Sequence, residues 1–118
     1  MAMDARLTTL GDMPLIVPKG DIDHSNCQAV EKLFDDALGQ GGYIVFLDLS
    51  QVSYIDSGGL SVLFSASRRL RDKGWLGLIA PNTSVRRLLE IVGVLADPGF
   101  RVFPDRAAAT AVLAQIGS

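Results

Sequence analysis

Between residues 44 and 73 the chain changes its hydrophobic period. Ile44-Val45-Phe46-Leu47 is a short, nearly unbroken apolar run, the composition of a strand buried on both faces. From Leu60 to Lys73 the period becomes helical, with Leu60, Leu63, Phe64, Ser67 and Leu70 along one stripe. Asp48-Leu49-Ser50-Gln51-Val52-Ser53-Tyr54-Ile55-Asp56-Ser57-Gly58-Gly59 connects the two. A doubly buried strand needs cover on both sides. The feature therefore points to an α/β fold with helices packed on a sheet.

The rest of the chain repeats that alternation. Arg6 to Leu10 and Leu15-Ile16-Val17, separated by Gly11-Asp12-Met13-Pro14, read as a first hairpin. Pro18 has no amide to donate, so the second strand is expected to end there or lie at a sheet edge. A helix is expected from near Ser25, with Cys27, Val30, Phe34, Ala37 and Leu38 on its apolar stripe, Leu33 alongside, and Gly39, Gly41 and Gly42 ending it. Cys27 is expected to be a small buried thiol. Strands are expected at Tyr43–Leu49, Trp75–Ala80 and Phe100–Phe103, and helices at Leu60–Lys73, Val85–Val92 and from Pro104-Asp105 to Ile116. The expected whole is one domain over residues 1–118: a mostly parallel mixed sheet, opened by an antiparallel hairpin, with about four helices.

Composition narrows the function classes. Hydrophobic residues at 48% argue against disorder. A net charge of −2 gives no support for a nucleic-acid or anionic-membrane partner. The one basic cluster, Arg68, Arg69, Arg71 and Lys73, is expected to complement a helix C-terminus on its wet side. With Cys27 the sole cysteine and His24 the sole histidine, no disulfide, metal site or cofactor is expected. No basic stretch precedes an apolar run at the N-terminus, and no apolar stretch approaches ~20 residues, so a cytoplasmic protein is expected.

Ser57 sits where strand hands over to helix, and free N–H groups with a positive dipole end favour negative charge there. A phosphate would be tolerated electrostatically while changing the surface sharply. The plainer reading is an N-cap, since serine caps helices well and Asp-Ser-Gly is ordinary turn chemistry. Gly58 and Gly59 weigh against a cap alone. Each costs roughly 0.8–1 kcal/mol against Ala in a first helical turn, which suggests close access to the backbone by a partner, a phosphate or an enzyme. If the strands before Gly20–Ser25 and Ser53–Gly59 are neighbours, Asp23 and His24 stand near Asp56 and Ser57.

Enzymatic readings fit less well. For a serine hydrolase using Ser57, His24 and Asp23 or Asp56, Ile55 occupies the nucleophile elbow's glycine position. An aspartyl phosphotransferase built on Asp21-Ile22-Asp23 meets Pro18 and Gly20 in its strand, and there is no cap domain to exclude water. Neither GxxxxGK[ST] nor GxGxxG is present.

Gly20-Asp21-Ile22-Asp23-His24, Asp48 through Leu60, and Val85-Arg86-Arg87-Leu88-Leu89-Glu90-Ile91-Val92-Gly93-Val94 together resemble the bacterial anti-sigma-factor antagonists, the STAS-domain proteins. The similarity runs in order from about Leu15 to Val94. The resemblance implies no catalysis. It implies binding to an anti-sigma factor with serine kinase activity, which frees the sigma factor, and release when that kinase phosphorylates Ser57; a serine phosphatase would reverse the step. The implied partner surface is Asp21, Asp23, His24, Asp56, Ser57, Gly58, Gly59 and Leu60. Many members carry a second hydroxyl or small residue after the modified serine; here that position is Gly58. The alternative within the family is a scaffold subunit of a signalling or lipid-transport complex that is never phosphorylated.

Overall fold

A computed structural model describes residues 4–39 and 43–116. Five strands form one sheet in the order β1-β2-β3-β4-β5: β1 Asp4–Leu10, β2 Met13–Lys19, β3 Ile44–Asp48, β4 Trp75–Ile79 and β5 Phe100–Phe103. β1 and β2 are antiparallel, in register from Asp4↔Lys19 to Leu10↔Met13, and every later pair is parallel. The helices are α1 Cys27–Gly39, α2 Ser57–Leu70, α3 Thr83–Ile91 and α4 Arg106–Ile116. The expected mixed α/β sheet with four helices is the fold observed.

Alternation along the strands sorts the core into two layers. Ile16, Val45, Leu47, Leu76, Leu78 and Phe100 point to the side covered by α1, α2 and α3, against Val30, Phe34, Leu63 and Leu89. Leu15, Val17, Ile44, Phe46, Trp75 and Phe103 point to the other side, where α4 lays Ala109 over them. Phe46 and Trp75 meet edge to face, their centroids 5.6 Å apart, and Gly77 makes room: a β-carbon there would fall 2.6 Å from the Phe46 ring.

Two expectations need correction. β2 neither ends at Pro18 nor lies at an edge; it runs to Lys19 inside the sheet. Proline is tolerated because β2 pairs with β3 only at Leu15↔Phe46 and Ile16↔Leu47, and Pro14 and Pro18 bracket that short ladder. Cys27 is half-buried, packed on the core's margin at the first turn of α1. A 3-10 turn, Val94–Ala96, follows α3 unforeseen, and Ile91, Val92 and Leu95 beside it are exposed. Arg68 and Arg69 of the basic cluster lie in the last turn of α2, as expected, and Arg69 also pairs with Asp35, joining α2 to α1. Gly41 and Gly42, expected to end α1, lie outside the described residues.

Candidate partner-binding site

Two connections, β2–α1 and β3–α2, leave neighbouring parallel strands at their carboxyl ends and so reach the same rim. Their backbones then pair with each other. The Gly20 N–H donates to the Gln51 carbonyl, Ile22 N–H to Tyr54 and Asp56 N–H to Ile22, at 2.9, 2.9 and 3.1 Å. Ile22 and Ile55 form a parallel bridge with both side chains buried. Asn82 anchors the second connection from below: its side chain caps α3 through Val85 N–H at 2.8 Å and donates to the Val52 carbonyl at 3.3 Å. Backbone amides satisfied this way make a fixed platform of two loops.

Asp56 closes the platform. It is the N-cap of α2, accepting the Gly59 N–H at 3.0 Å through Oδ1. Its Oδ2 takes the His24 backbone N–H and lies 3.1 Å from His24 Nδ1. The Gly59 amide, then His24, hold the Asp56 carboxyl down at a pKa of about 2. The cap is therefore Asp56, and Ser57 is the first helical residue, exposed at the rim. The convergence expected of Asp23, His24, Asp56 and Ser57 is present in this geometry.

The Asp23 carboxylate is turned onto its own loop. Asp23 accepts from the Ser25 amide at 2.9 Å and the Ser25 hydroxyl at 2.5 Å, and these bonds lower its pKa, the hydroxyl most. Asp21 is exposed, and its carbonyl receives the Asn26 amide at 2.7 Å.

The glycines have a different cause from the one expected. A β-carbon at Gly58 would fall 2.8 Å from Cα and Cβ of His24, and one at Gly59 would fall 2.7 Å from Ile55 Cγ2 and 2.8 Å from the Ile22 carbonyl. The close approach they permit is by the chain's own first loop and, at Gly59, also by Ile55. Gly59 is buried and Leu60 packs half-buried on the core, so the expected surface is exposed at Asp21, His24 and Ser57, with Asp23, Asp56 and Gly58 half-buried between them.

Two features escaped the sequence reading. Tyr54, 56% exposed, stands on the same rim, its backbone fixed by Ile22; the buried Val52 and Ile55 on either side were its only signal. Asp48, with its side chain 3% exposed, binds Arg106 Nε and Nη2, each at 2.7 Å. Burial works to raise the Asp48 pKa, but the hydrogen bonds from Ser50 and Arg106 outweigh it, and the net shift is downward.

The surface clefts lined by Asp4, Arg6, Lys19 and Gln51, and by Ser67, Arg71, Asp97 and Gly99, do not include Ser57. Among the described residues no group of three or more His, Cys, Asp or Glu could hold a metal ion, and no helix is long and apolar enough to cross a membrane. The rim thus offers an exposed hydroxyl on a rigid surface, flanked by carboxylates, an imidazole and a phenol.

A mixed five-stranded sheet with three helices on one face and one on the other, with this loop pair at its rim, is the architecture of STAS domains. The STAS domain family model matches residues 4–109, and the chain belongs to that family. One relative is the anti-sigma-F factor antagonist RsfB of Mycobacterium tuberculosis, 27% identical over 84 residues, which make up 71% of this chain and 67% of RsfB. The crystal structure of an anti-sigma factor antagonist from Mycobacterium paratuberculosis matches at a TM-score of 0.82, with 23% identity over 94% of each chain. The Bacillus cell fate determinant SpoIIAA in its phosphorylated form matches at a TM-score of 0.68, with 20% identity over 93% of this chain and 98% of that one. Likeness at these identities shows a shared fold.

Proposed function

We propose that this protein is an anti-sigma-factor antagonist whose attachment to an anti-sigma factor with serine kinase activity is ended by phosphorylation of Ser57. The observation that carries the reading is the position of Ser57: exposed, first in α2, on two connections whose backbones pair with each other. Unmodified, the rim meets the kinase through Asp21, Asp23, His24, Ser57 and Gly58, with Tyr54 as an aromatic anchor of the kind that dominates interface energetics. Binding frees the sigma factor.

In the closing step, Ser57 Oγ forms a bond to the γ-phosphorus of ATP, the bond to the ADP oxygen breaks, and the hydroxyl proton passes to a base of the kinase. The product carries about −1.5 to −2 more charge beside Asp56. Desolvating that charge in the interface, against carboxylates on either side, costs several kcal/mol, and each ~1.4 kcal/mol is tenfold in affinity. A serine phosphatase resets the switch. The protein itself catalyses nothing and works in the cytoplasm.

The test is incubation with ATP and the cognate kinase. Intact mass rises by one phosphate, and Ser57→Ala prevents the rise. Modification elsewhere overturns the reading, and no modification alongside demonstrated binding overturns it in favour of an unphosphorylated scaffold.

A further inference from the structure

Ser57 stands between two residues that both touch His24. On one side Asp56 Oδ2 meets the His24 backbone N–H and Nδ1, each at 3.1 Å. On the other, Gly58 lies so close that a β-carbon would come 2.8 Å from His24 Cα and Cβ. The imidazole is nevertheless 85% exposed, held at one nitrogen with the rest of the ring in water. The charged and titratable groups around it are Asp56, from the start of α2, and on its own connection Asp23, turned onto Ser25, and Cys27, whose thiol meets the His24 carbonyl at 3.8 Å. A dianion at Ser57 would therefore add to two carboxylates, with one group at hand that can take up a proton near neutral pH.

We propose that His24 is the internal counter-ion of phosphorylated Ser57. The inference rests on the phosphoswitch reading and says what the modified site does within the protein. Phosphorylation draws a proton onto the imidazole, and the imidazolium bridges the new phosphate and the Asp56 carboxylate. The two ionisations are linked and act reciprocally. The phosphate raises the proton affinity of His24, and His24 lowers the second ionisation of the phosphate. Phosphoprotein charge, and with it the strength of the release signal, then depends on pH around the second ionisation of the phosphate.

Because His24 is the only histidine in the chain, its titration is read without ambiguity by NMR. The full-length protein is prepared with phosphoserine installed at position 57 by genetic-code expansion, which needs no kinase. The His24 midpoint is expected to rise by about one pH unit over that of the unmodified protein. Ser57→Glu, with a single charge, shifts it in the same direction by less. By reciprocity, the 31P midpoint of phosphoserine 57 rises by a similar amount in His24→Gln. An unmoved His24 midpoint overturns the proposal, as does an equal rise when phosphoserine is placed at Ser84 in the first turn of α3. An unmoved His24 leaves the switch itself standing, and a kinase that ignores Ser57 leaves this measurement standing.

Discussion

Asp48 and Asp56 lie at the two ends of the β3–α2 connection, and each has its pKa lowered by the bonds it accepts. Their surroundings are opposite. Asp48 is sealed under α4 and answered by Arg106, so its charge serves the fold. Asp56, at 18% exposure, divides its oxygens between the α2 amides and the first loop and leaves Ser57 uncovered beside it. One aspartate pins the connection to the core, and the other shapes a surface. The β3–α2 connection is thus anchored at both ends.

The contrast breaks most readily at the buried end. Arg106→Met keeps the aliphatic stem but strands the Asp48 carboxylate, and is expected to cost about 3 kcal/mol in urea unfolding. Gly59→Ala forces a β-carbon onto Ile55 and the Ile22 carbonyl; about 2 kcal/mol is expected from the same measurement, with amide exchange accelerated in residues 20–26. At the exposed end, Asp56→Ala removes a helix cap and lowers Tm by about 4 °C.

Acid sharpens the comparison further. Folding lowers Asp56 from its ordinary 3.8 to about 2. Between those values the unfolded chain binds more protons, so the stability from this group is complete above about pH 4 and drains as pH falls towards 2. Asp56→Asn, which still caps, is expected to flatten that part of the urea-midpoint curve between pH 5 and 2. The smallest stability effect belongs to Ser57→Asp, whose charge suits a first helical position; its Tm stays within about 2 °C of wild type.

How much of this was legible in the sequence follows from the range of the interactions. Period changes located the strands and helices within a few residues, because burial on one or both faces is written locally. The meeting of His24 with Asp56 followed from parallel neighbours alone. Pro18 misled because its cost depends on whether β3 continues alongside, and β3 does not. Gly58 and Gly59 were legible as a demand for close approach, but besides the nearby Ile55 the approaching group is the loop at Ile22–His24, more than thirty residues away in sequence. The pairing of Asp48 with Arg106, 58 residues apart, left no local mark.

The most direct test is calorimetric titration of the cognate kinase-type anti-sigma factor with unmodified protein and with protein carrying phosphoserine 57, alongside the Tm of each. At least a tenfold loss of affinity with Tm essentially unchanged is predicted, since the phosphate alters a surface and not the fold. Equal affinity for the two forms, or a loss that arrives only with unfolding, would contradict a switch built on an exposed serine.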